Sequence, residues 1–164
     1  MRRQNRRKSK RETRARQERG WRQVARVVGA GLFDLPEFFR TGLYRLTRGG
    51  LPDAEIVRAY ERCRAWLAKV KDGAGECECG CGTKRPVDAV NTQGQSIWHL
   101  DHDKHRKTFR GILAARCNHE IGDGNRQRKW NHVAYIEAQE TRVPEEAALV
   151  RDGNEFGAAG AVLD

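Results

Sequence analysis

The chain has 164 residues, of which 33% are charged and 38% hydrophobic, and its formal net charge is +10. This length suits one modest domain with appendages, and the composition predicts a small core. No run of about 18 apolar residues is present, which excludes a membrane-spanning helix, and no apolar stretch follows the basic N-terminus as in a secretory signal. We therefore expect a cytoplasmic protein with no membrane partner.

The positive charge is concentrated at the N-terminus. Residues 1 to 26 contain twelve of the 32 lysines and arginines and only two acids, whereas the remainder has 20 basic and 20 acidic residues. Such a density of positive charge favours binding to a polyanion such as nucleic acid, because each neutralised phosphate releases condensed counterions. We interpret residues 1 to 28 as a nucleic-acid-binding arm, disordered alone or helical on a phosphate backbone; a solubilising tail and a nuclear-import signal are the alternatives. The predicted nucleic-acid contacts are nine side chains of the arm and one on a later strand, namely Arg2, Arg3, Arg6, Arg7, Lys8, Lys10, Arg11, Arg14, Arg16 and Arg110.

Residues 29 to 74 are predicted to form a helical segment. A short helix is expected from Pro36 to Leu46, and a longer one opens with Asp53 as its N-cap. The apolar residues of the longer helix recur at helical spacing, at Ile56, Tyr60, Cys63, Leu67 and Val70. This face makes Cys63 a small buried hydrophobe rather than a metal ligand. The four tryptophans are likewise assigned to the core rather than to DNA.

Residues 75 to 141 change character and predict a small mixed unit. Two short strands are expected at 95–100 and 108–113, separated by a polar loop at 101–107, and a helix begins at Cys117 or Asn118 and is broken near 122–124. A second helical segment is expected at 130–140. Residues 142 to 164 are expected to form a short helix opening at Pro144 and a flexible tail. The fold class is therefore α+β.

Three side chains of this unit can carry chemistry together. Asp101 and His102 directly follow the first predicted strand, and Asn118 lies at the predicted helix start. Hydrolysis of a phosphodiester needs a base that takes a proton from water and a hard cation that neutralises the phosphate. Carboxylate and amide oxygens are ligands that Mg²⁺ accepts, and a neutral histidine can accept the proton. The alternative is a zinc-ribbon-like fold in which Asp and His only form hydrogen bonds within the loop.

Several short motifs together resemble the recombination endonuclease VII family of phage and bacterial genomes. They are Leu-Asp-His-Asp at 100–103, Phe-Arg-Gly-Ile-Leu at 109–113, Cys-Asn at 117–118, Gly122, Asn125 and Ala-Tyr-Ile-Glu at 134–137. That family belongs to the ββα-metal, or His-Me finger, nucleases, which are related to the HNH enzymes. The resemblance covers residues 75 to 137 and implies a ββα-metal nuclease core with flanking helices. It also implies a phage-encoded enzyme in the cytoplasm of a bacterial host.

The resemblance assigns roles to individual residues. It implies that Asp101 and Asn118 bind the catalytic Mg²⁺ or Mn²⁺ and that His102 is the general base. His105 is a secondary candidate, because family members have another histidine two positions after the base, where this chain has Lys104. DNA is the implied partner, with cleavage at branched sites such as Holliday junctions. Resolving a branch is easiest with two active sites, which predicts a homodimer.

A structural zinc is also implied, although the ligand pattern departs from the family. Members use two Cys-x-x-Cys pairs, whereas this chain has none and carries Ala114 where the second pair would begin. The four remaining thiols are Cys77, Cys79, Cys81 and Cys117, and they can form a three-plus-one site if a glycine turn bends the first three together. His119 or His99 could replace one thiol. The alternative is a metal-free finger packed by Trp98, Phe109, Ile112 and Trp130.

The sequence thus predicts a magnesium-dependent DNA endonuclease. The alternative is a non-catalytic, zinc-finger-like nucleic-acid-binding protein, such as a packaging or regulatory factor. In that alternative the arm binds phosphate and the finger is only structural.

Deleting residues 1 to 26 should weaken DNA binding by about a hundredfold or more at low salt and flatten its salt dependence, because the rest of the chain is formally neutral. Fluorescence anisotropy titrations of a labelled duplex at several salt concentrations measure both quantities. A salt slope that survives the deletion would show that phosphate binding resides elsewhere.

Overall fold

The computed structural model describes residues 2–122 and 132–139, with side chains described from residue 12 onward. In chain order its elements are α1 (Arg2–Val28), a 3-10 helix (Ala30–Asp34), α2 (Glu37–Arg48), α3 (Asp53–Ala68), β1 (Ala74–Glu76), β2 (Lys84–Pro86), β3 (Trp98–Asp103), β4 (Thr108–Ala114) and α4 (Ala115–Gly122). Residues 132–139 are also helical. The α+β organisation expected from the sequence is confirmed. No helix in the described part of the chain has the length and apolar character needed to cross a membrane.

The basic arm is helical from its second residue and continues into the folded body. Arginine, lysine, glutamine and glutamate are good helix formers, which suits α1. Its last turns are held by Trp21 and Val24, which are buried in the core. Deleting residues 1 to 26 therefore also removes core residues, and that experiment needs a thermal-unfolding control. Gly20 permits this packing, because a Cβ there would lie 2.5 Å from the ring of Tyr44 on α2.

The core lies between α1, α2 and α3 and extends to the β3–β4 hairpin. Cys63 is fully buried on α3, as the helical spacing predicted. Trp66, which the predicted apolar stripe omitted, is also buried and stands edge-on to Trp98 of β3, with 4.9 Å between ring centroids. Gly75 allows β1 to approach this pair, because a Cβ there would lie 2.0 Å from Trp66. One aromatic contact therefore joins the helices to the hairpin.

Helix α3 begins one position earlier than predicted. Pro52 occupies the N-cap position, Asp53 is the first helical residue, and no side chain caps the helix. The fixed φ of Pro52 is compatible with helix entry, and an acidic residue in the first turn interacts favourably with the helix dipole. The prediction of Asp53 as the N-cap was therefore wrong.

Strands β3 and β4 pair antiparallel from Trp98 with Ala114 to Asp103 with Thr108. The strand β3 extends through Asp101 and His102, which the sequence placed in a loop. It does so because the connecting turn is short: Asp103 accepts hydrogen bonds from the backbone N–H groups of His105 and Arg106, at 2.8 and 2.9 Å. Two of the three predicted catalytic residues, Asp101 and His102, consequently lie on a paired strand.

Several predictions fall outside the described residues. These are Asn125, Trp130, the helix opening at Pro144 and the C-terminal tail. For Arg2 to Arg11 the structure describes only the helical backbone.

Replacing Gly20 with Ala should lower the free energy of unfolding by about 1–2 kcal/mol, because the added methyl group meets the ring of Tyr44. Chemical denaturation measures the change. In a Tyr44→Ala background the same substitution should be neutral or stabilising, since alanine favours a helix over glycine. An equal loss in both backgrounds would contradict the packing.

Candidate functional site

Four cysteine thiols converge between the β1–β2 loop and the start of α4. The sulfur atoms of Cys77, Cys79, Cys81 and Cys117 all lie within 4.8 Å of one another. Cys77 and Cys79 are 3.4 Å apart, and Cys81 and Cys117 are 3.6 Å apart. A tetrahedral zinc–thiolate site, with Zn–S bonds of about 2.3 Å, places its sulfurs roughly 3.8 Å apart. The cluster can therefore hold a metal ion such as zinc.

The three closely spaced thiols meet because the chain turns sharply between β1 and β2. Gly80 and Gly82 have φ angles of 76° and 72°, a region that favours glycine. The backbone N–H of Cys77 donates to the carbonyl of Thr83 at 2.9 Å and closes the loop. The three-plus-one grouping expected from the sequence is thereby confirmed.

Ala114 contacts the cluster although it has no thiol. Its backbone N–H donates to Cys77 Sγ at 3.2 Å. The loop has three cysteines instead of two, and its extra thiol replaces the one that a second Cys-x-x-Cys pair would have at position 114. Neither histidine proposed as a substitute belongs to this cluster: His99 contacts Asn118, and His119 is exposed.

The environments of the thiols differ. Burial raises the pKa of Cys77 to about 12 and also raises that of Cys117. Burial also opposes ionisation of Cys81, yet the hydroxyl and backbone N–H of Thr83 lower the pKa of Cys81 to about 7. Cys81 thus ionises more readily near neutral pH than Cys77 or Cys117. A metal ion must displace protons from Cys77 and Cys117, so its affinity should fall as the pH falls.

A buried ion pair crosses the β3–β4 hairpin. Arg110 Nε and Nη2 donate to the two carboxylate oxygens of Asp101, both at 2.9 Å, and Asp101 is only 3% exposed. Burial alone would lower the pKa of Arg110, but the Asp101 carboxylate raises it. Arg110 Nη2 also approaches the carbonyl of His102 at 3.3 Å. Arg110 therefore restrains both predicted residues of β3.

An irregularity in the strand register accompanies this contact. Asp101 is opposite Gly111 and His102 is opposite Phe109, so Arg110 is an extra residue on β4. A bulge re-aims the side chain of the extra residue, and bulges are frequent beside functional sites. Arg110 was predicted as a DNA contact; the structure places its guanidinium on Asp101, and DNA binding by Arg110 stays a prediction.

Tyr135 packs beside the same ion pair. Burial raises the pKa of its hydroxyl, and the nearby carboxylates of Asp101 and Glu78 raise it further. Gly111 makes room for both neighbours, because a Cβ there would lie 2.6 Å from the Tyr135 hydroxyl and 2.8 Å from Glu78 Oε2. The glycine of the Phe-Arg-Gly-Ile-Leu motif is thus required by a close approach of side chains.

Glu78 links the thiol loop to the hairpin and was not identified from the sequence. Its Oε2 accepts the backbone N–H of Ile112 at 2.8 Å, and its Oε1 pairs with Nε of Arg62 on α3 at 2.8 Å. Its position between Cys77 and Cys79 was the only signal, because its partners are distant in the chain. The acid fixes the position of the loop relative to β4.

Asn118 lies on α4 and faces β3 through His99. Asn118 Nδ2 is 3.3 Å from His99 Nδ1. Burial, followed by the charge of Arg45, lowers the pKa of His99, which favours the neutral ring that can accept this hydrogen bond. The contact uses the nitrogen of the Asn118 amide and orients its oxygen, the atom that can ligate a hard cation.

His102 is half-buried at the bulge. Burial lowers its pKa from the ordinary value of 6.5, despite the opposing charge of Asp101. It is therefore neutral at pH 7, the form that accepts a proton. His105 lies exposed in the turn after β3.

The structure thus brings some predicted residues together and keeps others apart. Asp101 and His102 are neighbours on β3, and Asn118 reaches the same strand. Within the described residues no hydrogen bond joins Asp101 to Asn118, because each binds a different partner.

None of the protein-family models, curated proteins or solved structures compared with this chain matches it.

Metal analysis of the purified protein should find about one zinc ion per chain, lost in Cys117→Ala and retained in Cys63→Ala. Cys63 is the matched control, because it is a buried thiol outside the cluster. Mass spectrometry of metals measures the stoichiometry. A wild-type value near zero would support the metal-free finger.

Proposed function

We propose that this protein is a divalent-metal-dependent DNA endonuclease whose reacting groups are Asp101, His102 and Asn118. The observation that carries the proposal is the unit formed by β3, β4 and α4. It presents an Asp-His pair on one strand and an asparagine on the helix packed against it. With the adjacent thiol cluster as a structural zinc site, this arrangement supports a ββα-metal nuclease core.

The neutral state of His102 supports its role as general base. Its imidazole would take a proton from water, and the resulting hydroxide would attack the phosphorus atom and release one sugar oxygen. A Mg²⁺ or Mn²⁺ ion bound at the site would neutralise the charge on the phosphate and on the departing oxygen.

The oxygen donors fit a hard cation of this kind. Arg110 occupies one direction on each oxygen of Asp101. A carboxylate has about four lone-pair directions, so Asp101 retains acceptor capacity beside the guanidinium. Asn118 would contribute its amide oxygen, and water and phosphate would complete the coordination.

The charge distribution supports DNA as the partner. The arm carries the whole net charge of +10, while the remainder of the chain is formally neutral. Phosphate affinity and hydrolysis would therefore reside in separate parts of the chain. A preference for branched DNA, a homodimer and a phage origin rest on the family resemblance alone.

Incubation of supercoiled plasmid and a synthetic four-way junction with Mg²⁺ or Mn²⁺, with and without EDTA, tests the proposal. His102→Ala should slow cleavage by about 10²–10⁴-fold, the usual range for a lost proton-transfer group, and Asn118→Ala should also slow cleavage, because the divalent ion loses a ligand. His105→Ala tests the secondary candidate: because this histidine is exposed in the turn, we expect a much smaller loss than for His102→Ala.

Absence of cleavage by the wild type with any divalent metal would contradict the proposal, as would full activity of both variants. Asp101→Asn needs a thermal-unfolding control, because breaking a buried ion pair costs about 3–5 kcal/mol. Comparing linear duplex with the junction tests branch preference, and sedimentation tests the homodimer.

The pH dependence of cleavage provides a separate test. The neutral form of His102 is the active one, and burial lowers its pKa below 6.5. The value of kcat/KM should therefore be constant around neutral pH and should decrease only below pH 6.5, where His102 becomes protonated. An acid limb above pH 7 would argue against His102 as the base.

The contact between Arg110 and Asp101 favours a second candidate function. If the guanidinium is a permanent partner of the carboxylate, the hairpin is purely structural and the protein binds nucleic acid without cleaving it. The plasmid assay separates the two functions.

A further inference from the structure

A cavity of about 780 Å³ lies between α1 and the segment formed by the 3-10 helix and α2, and the proposed function makes no use of it. This volume lies within the range of about 300–1,000 Å³ typical of ligand sites. Three arginines and an exposed aromatic ring line it, together with Trp21 and two acids. The cavity therefore combines positive charge with flat apolar surfaces.

One wall is a fixed cation. The guanidinium of Arg40 lies 4.3 Å from the centroid of the Trp21 ring, and Trp21 is only 8% exposed. The indole Nε1 of Trp21 and Nε of Arg40 are both buried, and neither donates to an acceptor among the described residues. Stacking thus holds Arg40 in one orientation at the wall.

A second wall carries the aromatic ring of Phe33. This side chain is 48% exposed on the 3-10 helix, and it lines the same cavity as Arg40. Exposed aromatic rings beside arginines are the platforms on which unpaired bases stack, because every base has a π-face. In a DNA duplex that face is covered by the neighbouring base pairs.

The charges around the cavity favour a nucleotide over a simple anion. Arg14 is bound to Glu18 at 3.3 Å, and Arg22, Arg40 and Glu37 also line the cavity. A carboxylate repels phosphate but accepts hydrogen bonds from base amino groups. The seven basic residues between Arg2 and Arg11 lie on the same helix, with no acid among them.

We infer that this cavity binds an unpaired nucleotide of a nucleic-acid strand whose phosphates are bound by α1, with the base stacked on Phe33 and Arg40. The inference rests on the proposed function only in taking nucleic acid as the partner. It gives the protein a second contact, separate from the hairpin, that distinguishes single-stranded or frayed segments from intact duplex.

Fluorescence anisotropy with the full chain in EDTA tests this inference, because binding is then measured without cleavage. The probes are a short mixed-sequence DNA strand and its duplex, titrated at raised salt to suppress the contribution of the arm. Phe33→Ala and Arg40→Gln should each weaken single-strand binding about tenfold, the range expected for one lost base-stacking contact. Duplex binding should change less than about twofold.

The chain offers matched controls. Val57 is an exposed apolar residue on α3, at 40% exposure, and Arg64 lies over the ring of Tyr60 at 5.8 Å. Val57→Ala and Arg64→Gln should leave both affinities unchanged. Thermal unfolding checks the fold of Arg40→Gln, and Phe33→Ala remains decisive because its side chain is half exposed.

Three results would overturn the inference: unchanged single-strand affinity in Phe33→Ala, equal losses for strand and duplex, or displacement of the strand by polyglutamate as readily as by an unlabelled strand. The last would mean that the cavity recognises charge alone. Because the assay contains no divalent metal, a failure here leaves the nuclease proposal intact. Absence of cleavage would likewise leave this binding site standing.

Discussion

The bidentate ion pair between Asp101 and Arg110 is the contact on which this end of the hairpin depends. Asp101 is almost fully buried, and an unpaired carboxylate in such a place costs several kcal/mol. Arg110 can reach it because the bulge on β4 gives the arginine a position of its own between two paired residues. The same guanidinium approaches the backbone of His102. The buried charge of Asp101, the irregular register of β4 and the orientation of His102 are therefore all linked to this one ion pair.

Two further acids bind the exposed edge of β4 and join the hairpin to its surroundings. Glu55 of α3 accepts the backbone N–H of Phe109 at 2.7 Å, and Arg58 donates to the carbonyl of the same residue. Glu78 of the thiol loop accepts the N–H of Ile112. An edge strand leaves such groups unpaired, and side chains here replace a third strand. The helices, the thiol loop and the hairpin are thus held as one unit, so a metal ion bound by the thiols would stabilise the strand that carries Arg110.

The parts of the fold predicted well are those determined by local patterns. Helical spacing identified the buried face of α3, including Cys63, and the glycines between the thiols predicted the turn that gathers them. The strand boundaries were less accurate, because Asp101 and His102 are polar and read as a loop. Pairing with β4 overrides that preference. Trp66 was expected in the core, but the helical stripe did not include it and could not identify its partner, because Trp98 belongs to another element.

The sequence by itself determined the concentrated charge of the arm, the adjacency of Asp101 and His102, and the set of thiols available to a metal, because these are properties of residue type and spacing. Only the tertiary structure decided the partners: Arg110 for Asp101, His99 for Asn118, and Glu78 for the edge of β4. The cavity around Arg40 and Phe33 also exists only because α1 packs against α2. Such contacts join residues far apart in the chain, and their formation depends on packing and burial rather than on any local propensity.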